Sequence, residues 1–346
     1  MPEESPNSLT PEKRRRAILI LSVGSVAFGL LLLEIAARVM GYSGYSVPAS
    51  NLKSISPEGP YFKKHEGLGY THKPGTFDVS LVSGHTFTTT HDRQGFRITS
   101  EDPESRQGMP ELWLMGCSFT HGWSLQDEET FPWLLQDELD EIRVRNFGIS
   151  GYGTFQSRLL FQELIKTEAK PKMVVYVYGR FHHDRNTYPR RHMKAQAPHN
   201  RMGPLSLPYA RYDASGELEY YAATLDYQPW PLMNVSAAIH MMETLYNQRD
   251  ASAHQSDQVT AELIRRWALF CKEQGILFAV AGISSDSGKM LEFCTELGIR
   301  NVLIAVPLSE DKNRNLPHDD HPSPLANGVY AERLLEFLKP ELEALR

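Results

Sequence analysis

An uncharged run of 17 apolar and small residues, Ala17 to Leu33 (AILILSVGSVAFGLLLL), directly follows Lys13-Arg14-Arg15-Arg16. A membrane span needs about 20 mostly apolar residues, with a lower limit near 17. Ile35, Ala36, Ala37, Val39 and Met40 lengthen the run, and Glu34 and Arg38 sit one helical turn apart, where they can pair. The basic cluster predicts a cytoplasmic N-terminus and a body on the periplasmic or extracellular side. A cleaved signal peptide and a buried core helix are the competing readings. The run is longer than the usual signal core of about 7–15 residues, and no clean A-x-A site follows it. The expected layout is a cytoplasmic tail over 1–16, an anchor over 17–40, a Gly-, Ser- and Pro-rich linker over 41–65 and one exported domain over 66–346.

Composition narrows the functions open to that domain. The 346 residues hold 36 Lys and Arg against 42 Asp and Glu, a formal charge of −6. A mildly acidic chain lacks the electrostatic footprint of a nucleic-acid binder. Three cysteines, Cys117, Cys271 and Cys294, are too few for a disulfide framework and carry no pairing signal in their spacing.

Within the exported part, residues 66–105 read as a small β module. FDVSLV and HTFTTT alternate and are rich in β-branched residues, with Ser83-Gly84 as the turn. From Glu111 the pattern becomes strand–helix alternation. ELWLMG, 144–147, KMVVYVY (172–178), ILFAVAG (276–282) and NVLIAVP (301–307) read as strands. Helices are expected over 126–139, 155–166, 258–274, 287–297 and 325–338. Nearly unbroken apolar strands are what a sheet covered on both faces requires. The fold class is therefore α/β: a flavodoxin-like three-layer α/β/α sandwich on a parallel sheet of about five strands. Residues 180–256 interrupt the rhythm and read as an insertion or lid, with a helix near Ala237–Asn247. Met241 and Met242 are expected in the core.

Ligands of such sheets bind beyond the carboxyl ends of the strands. The segments there are Gly116-Cys117-Ser118-Phe119-Thr120-His121-Gly122, the Asn146-to-Gly153 stretch NFGISGYG, Gly179-Arg180-Phe181-His182-His183-Asp184-Arg185-Asn186, and His318-Asp319-Asp320-His321-Pro322. Together they hold a hydroxyl nucleophile, a base, carboxylates and glycine backbone donors. Each alone has a bland reading: a serine in a turn is commonly a helix cap, and GISGYG has the wrong glycine spacing for a dinucleotide loop.

Four blocks, LMGCSFTHGWSLQDEETFP, NFGISGYGTFQ, VVYVYGRFHHDRN and HDDHPSPLANG, resemble the SGNH-type (GDSL-like) hydrolases of the membrane-anchored bacterial kind, and THDRQGFR resembles a segment that precedes them there. The resemblance implies an ester hydrolase in which Ser118 attacks the carbonyl and His321 is the general base. It implies an acidic partner for His321, here Asp319 with Asp320 as fallback, because position 318 is His318. The backbone N–H groups of Ser118 and Gly151 would bind the oxyanion. Asn146, His182 and Arg185 complete the candidate oxyanion and substrate-binding set. The third block departs from the pattern: an Asn is expected near Phe181-His182, and none occurs before Asn186. His182 is the expected replacement donor, and Arg185 a source of positive charge.

No cofactor and no metal are expected on this reading. The substrate would be an acylated, for example O-acetylated, carbohydrate or a small ester, with the membrane as the other partner. An O-acyltransferase would use the same acyl-enzyme with a sugar hydroxyl as acceptor. The aromatics Tyr209, Tyr212, Tyr220, Tyr221, Tyr227 and Trp230 suit either a glycan surface or packing of the insertion. Two other classes stay open: a degenerate glycan-binding module, and a metal site built from His182, His183 and Asp184 with His318 to His321.

Overall fold

The computed structural model describes residues 10–343 apart from Pro60. The chain divides into two compact units, residues 1–48 with 228–249, and residues 49–227 with 250–346. The first begins with helix α1 (Pro11–Val39), which Thr10 caps through its hydroxyl and Pro11 opens. The helix is long and apolar enough to cross a membrane. Residues expected as a linker form strands β1 (Leu52–Ser56) and β2 (Phe62–His65). Strands β3 (Gly69–His72), β4 (Gly75–Leu81) and β5 (Thr86–His91) follow. β1 pairs with β4 and β2 with β3, so much of the Gly/Ser/Pro-rich stretch belongs to the β module.

The α/β body then runs in order: β6 (Glu111–Gly116), α2 (Ser118–His121), α3 (Phe131–Asp137), β7 (Arg143–Gly148), α4 (Thr154–Thr167), β8 (Met173–Tyr178), α5 (His182–Thr187) and α6 (Arg190–Gln196). The hairpin β9 (Ser206–Tyr212) and β10 (Leu218–Thr224) follows. After it come α7 (Ala237–Ala253), α8 (Ser256–Glu273), β11 (Leu277–Gly282), α9 (Gly288–Glu296), β12 (Arg300–Leu303) and α10 (Pro324–Glu343). The helix expected over 126–139 is shorter than its pattern. Asp127–Glu129 is a 3₁₀ turn, and α3 starts afresh after Thr130, with Pro132 in its first turn. Within the stretch 180–256, residues 228–249 group with the N-terminal segment. Met242 is 41% exposed, against the expectation of a core residue.

Five parallel strands form the central sheet in the order β7-β6-β8-β11-β12. Counted along the chain this is second-first-third-fourth-fifth, the flavodoxin-like winding, with the switch point between β6 and β8. Side chains alternate strictly between two apolar layers. Trp113, Met115, Val174, Tyr176 and Val280 pack against Phe161 of α4, Trp267 of α8 and Leu291 of α9. Leu112, Leu114, Val175, Val177 and Ala279 pack against Leu135 of α3 and Tyr330 and Leu334 of α10. Period-2 alternation with both faces covered yields the unbroken apolar strands seen in the sequence. Strand β12 stops at Leu303, short of residue 307, because its partner β11 ends at Gly282, opposite Leu303.

Trp267 is fully buried, and its ring stands 5.1 Å from Tyr176, 5.4 Å from Phe278 and 5.6 Å from Phe161. Trp267→Ala is expected to lower unfolding free energy by about 3–5 kcal/mol, the cost of a large aromatic cavity; urea denaturation followed by circular dichroism reads this directly.

Candidate active site

The site forms where β6 ends at the switch point. Cys117 is extended, and the chain turns into the single-turn helix α2 at Ser118. Close backbone approach makes this turn possible. A Cβ on Gly116 would lie 2.2 Å from the Thr120 hydroxyl, and one on Gly148 would lie 2.4 Å from the His121 nitrogen. The glycines thus let α2 rest directly on the strand ends. Asn146 locks the arrangement: its amide donates to the Thr120 carbonyl (2.9 Å) and its oxygen accepts from the Gly148 N–H (3.0 Å).

Ser118 Oγ lies 3.0 Å from His321 Nε2. His321 Nδ1 donates to Asp319 Oδ1 in a short hydrogen bond, which leaves Nε2 free to accept from the serine. The same carboxylate accepts the His321 backbone N–H (2.8 Å), the Trp123 indole (3.2 Å) and the Asn51 amide (2.6 Å). Burial alone raises the Asp319 carboxyl. The hydrogen bonds from His321 and Trp123 outweigh it and hold the group at about 2. Asp320 instead is exposed and paired with half-buried Arg314 at 3.0 Å, and His318 stacks on His85. Phe119 and Trp123 wall the imidazole, with ring centres 5.4 and 6.4 Å away.

The second glycine loop borders this turn, since the Ile149 N–H donates to the Gly116 carbonyl (3.0 Å). Gly151 has φ +88, and a Cβ there would lie 2.3 Å from the Tyr70 hydroxyl, so the position demands glycine twice over. Tyr70 in turn donates to the Ser150 carbonyl at 2.8 Å.

Two expected binding residues point elsewhere. Asn146 is 1% exposed, and its amide is engaged in holding α2. His182 is fully buried, and its Nδ1 accepts from the Tyr176 hydroxyl at 2.8 Å. Burial keeps that ring neutral by pushing its pKa well below the ordinary value. The cause is local. Position 182 opens α5, and its ring joins a buried chain in which Asn186 donates to Thr154 (3.0 Å) and Thr154 meets Tyr176 (2.7 Å). Phe181 stands at the strand end in their place, 5.0 Å from Phe119. Arg185 is half-buried, lies over the Phe181 ring at 4.9 Å and donates to the Tyr152 carbonyl at 2.9 Å.

The metal arrangement considered from the sequence is not assembled. His183 bonds to Tyr178 (2.6 Å) and Asp257 (2.7 Å), while His321 and Asp319 serve Ser118. A different ligand-type cluster, His72, His91 and His121, is buried beneath the nucleophile turn. His91 Nδ1 donates to the Lys73 carbonyl (2.9 Å), so its Nε2 accepts from His121 Nε2 (2.9 Å). Burial pushes His91 down to about 4 and the other two well below 6.5, with Arg97 adding to each shift. Three imidazoles are a donor set that zinc accepts, and His72 makes no hydrogen bond through either ring nitrogen, but the nearby Arg97 guanidinium opposes added positive charge there.

Sequence reading missed one organising pair. Arg97, whose side chain is fully buried, donates through Nε to Asp127 at 2.8 Å. Its other nitrogens donate to the carbonyls of His121, Gly122, Thr88 and Leu125. The signal available was the Gly-Phe-Arg string, but nothing in it pointed to Asp127.

No family model and no curated protein matches the chain. Solved structures do. A psychrotrophic esterase EstA from a Pseudoalteromonas species is 12% identical, covering 67% of this chain and 98% of that one at a TM-score of 0.38. A GDSL-like lipase from Bacteroides thetaiotaomicron is 15% identical, with 71% and 93% covered and a TM-score of 0.34. A member of the lipolytic G-D-S-L family from Veillonella parvula is 9% identical, with 65% and 96% covered and a TM-score of 0.37.

Because the folded Asp319 carboxyl sits at about 2, below its ordinary 3.8, it stabilises the fold above about pH 4. That contribution is lost as pH falls towards 2. Wild type is expected to be more stable than Asp319→Asn at pH 5, with the gap closing by pH 3 to 2 in urea titrations. Arg97→Gln leaves a buried carboxylate and four carbonyls without their donor. A loss of about 3–5 kcal/mol is expected, with no full rescue by Arg97→Lys, whose ammonium cannot span the same acceptors.

Proposed function

We propose that this chain is a membrane-anchored serine ester hydrolase acting through Ser118, His321 and Asp319. The single observation that carries the reading is the hydrogen-bonded line from Ser118 Oγ through the His321 ring to the Asp319 carboxylate. In the first step His321 Nε2 takes the Ser118 proton as Oγ attacks an ester carbonyl. Asp319 fixes the tautomer and stabilises the imidazolium. The oxyanion is received by the backbone N–H groups of Ser118 and Gly151, each such donor contributing about 3–4 kcal/mol. His321 then returns the proton to the leaving alcohol, giving an acyl-serine and a free alcohol. Water, activated by the same imidazole, releases the acid.

Without an asparagine at the third strand end, the proposed source of positive charge is Arg185, which lies over Phe181 and donates to the Tyr152 carbonyl. Phe119 and Trp123 flank His321, with Phe181 against Phe119, which favours a short acyl group such as acetyl. The helix α1, led by its basic cluster, supports an anchored chain with the hydrolase on the periplasmic or extracellular face. An O-acetylated glycan of the envelope, or a small ester, is the substrate class in keeping with that placement. Transfer to a sugar hydroxyl would use the same acyl-serine.

Purified full-length protein is expected to hydrolyse p-nitrophenyl acetate. Ser118→Ala should lower the rate by at least about 10³-fold and abolish labelling by a fluorophosphonate, with chelator leaving the wild-type rate unchanged. Activity retained in Ser118→Ala but lost on chelation would overturn the serine mechanism. No hydrolysis and no labelling of wild type would leave a binding module.

A further inference from the structure

The first unit joins the apolar helix α1 to the segment 228–249. The join is specific. Glu34 accepts from the Ser236 hydroxyl (2.7 Å) and from the Ala237 and Ala238 N–H groups (3.0 Å each), so it caps the start of α7. Arg38 pairs with Glu34 and donates to the Val235 carbonyl at 3.2 Å. Ala37 is buried against Ala237 and Ala238, where small side chains let the two helices touch. The Tyr45 N–H donates to the Met233 carbonyl (2.8 Å), and His240 meets the Ser43 carbonyl (2.8 Å). All these contacts fall just after Leu33, where the uncharged run stops.

One side of the attached segment is apolar and open. Val235, Ile239, Met242 and Tyr246 recur at helical spacing on one face. Val235 is 61% exposed and Tyr246 50%, and Leu232 and Leu245 beside them are also exposed. The buried Glu243 and Asn247 flank this face. Leu30 and Leu33 of α1 line the same groove as Val235, Ile239 and Met242. Trp230 and Tyr246 stand together, ring centres 5.5 Å apart. A contiguous apolar patch of this kind marks an interaction surface. The groove itself says what covers it, because two of its walls belong to the run that spans the bilayer. If α1 is in the membrane, this end of it lies at the hydrocarbon–headgroup boundary, and the α7 stripe is continuous with it.

We propose that residues 230–246 are a second membrane-docking element, lying in the interface of the bilayer that α1 spans. The stripe dips into the acyl boundary, while Trp230 and Tyr246 sit at headgroup level, where amphipathic rings are favoured. This rests on α1 being a membrane span, and the test separates the two. Full-length protein is reconstituted in phosphatidylethanolamine–phosphatidylglycerol vesicles, with an environment-sensitive fluorophore on one introduced cysteine at a time. The positions are Met242→Cys and Leu245→Cys, both exposed, and Ile20→Cys within α1. The three native cysteines are buried, and unlabelled wild type measures their background.

The expected result is a blue-shifted emission at 242 and 245, quenched by lipids with a nitroxide high on the acyl chain and insensitive to aqueous iodide. Ile20 is quenched by a deep nitroxide. Iodide quenching at 242 and 245 with Ile20 still in the bilayer overturns the proposal and leaves the anchor standing. Protection from iodide without lipid quenching also overturns it, since protein then covers the stripe. An Ile20 label outside the bilayer removes the anchor and the proposal together.

Discussion

A guanidinium with no access to water must find every one of its hydrogen-bond acceptors inside the protein, and the Arg97 side chain does so by gathering three parts of the fold around itself. Its Nε binds Asp127 from the turn after the nucleophile. Its remaining nitrogens hold the Thr88 carbonyl of the β module and the His121, Gly122 and Leu125 carbonyls of the nucleophile loop. Bridges from Arg97 to His91 and to Asn146 carry the same tie to the edge of the central sheet. Asp127 completes the knot by accepting the Thr90 N–H. The β module is thus fastened to the backbone that sets the position of Ser118.

The three-residue line at the site depends on the same module. Asp319 would be a buried carboxylate with one partner if only His321 reached it. Trp123 from the nucleophile loop and Asn51 from the approach to β1 supply two further donors. The His321 ring and backbone N–H, with the Trp123 indole, keep the carboxylate ionised, and the Asn51 amide helps orient it. Chain segments about residues 51, 118–123 and 319–321 therefore meet at one group, and none of them can position it alone.

Much of this was legible from the residues. Strands buried on both faces leave an apolar signature that few other structures share, so the five strands and the helices between them stood out. Ser118 and His321 stood out because their loops follow strand ends, and the structure sets them 3.0 Å apart. Local pattern failed where long-range partners decide. The 41–65 stretch looks like a linker by composition, yet β1 and β2 acquire strand structure by pairing with β4 and β3. The start of the helix expected at 126 gives way to a 3₁₀ turn where Asp127 is held by Arg97. His182 was chosen by counting from a strand, which locates a residue and says nothing of which way its ring turns. Here it turns inward to Tyr176. Between Asp319 and Asp320 the choice rests on Arg314, which holds the latter at the surface.

The amide of Asn51 has a consequence for where the catalytic body begins. By composition the tether runs through residue 65. By hydrogen bonding it ends at residue 50, because the next side chain is already part of the environment of Asp319. A cut anywhere before residue 51 leaves the Asp319 carboxylate with all of its donors. A cut one residue later removes the Asn51 amide, so the tether and the hydrogen-bond shell of Asp319 are separated by one peptide bond.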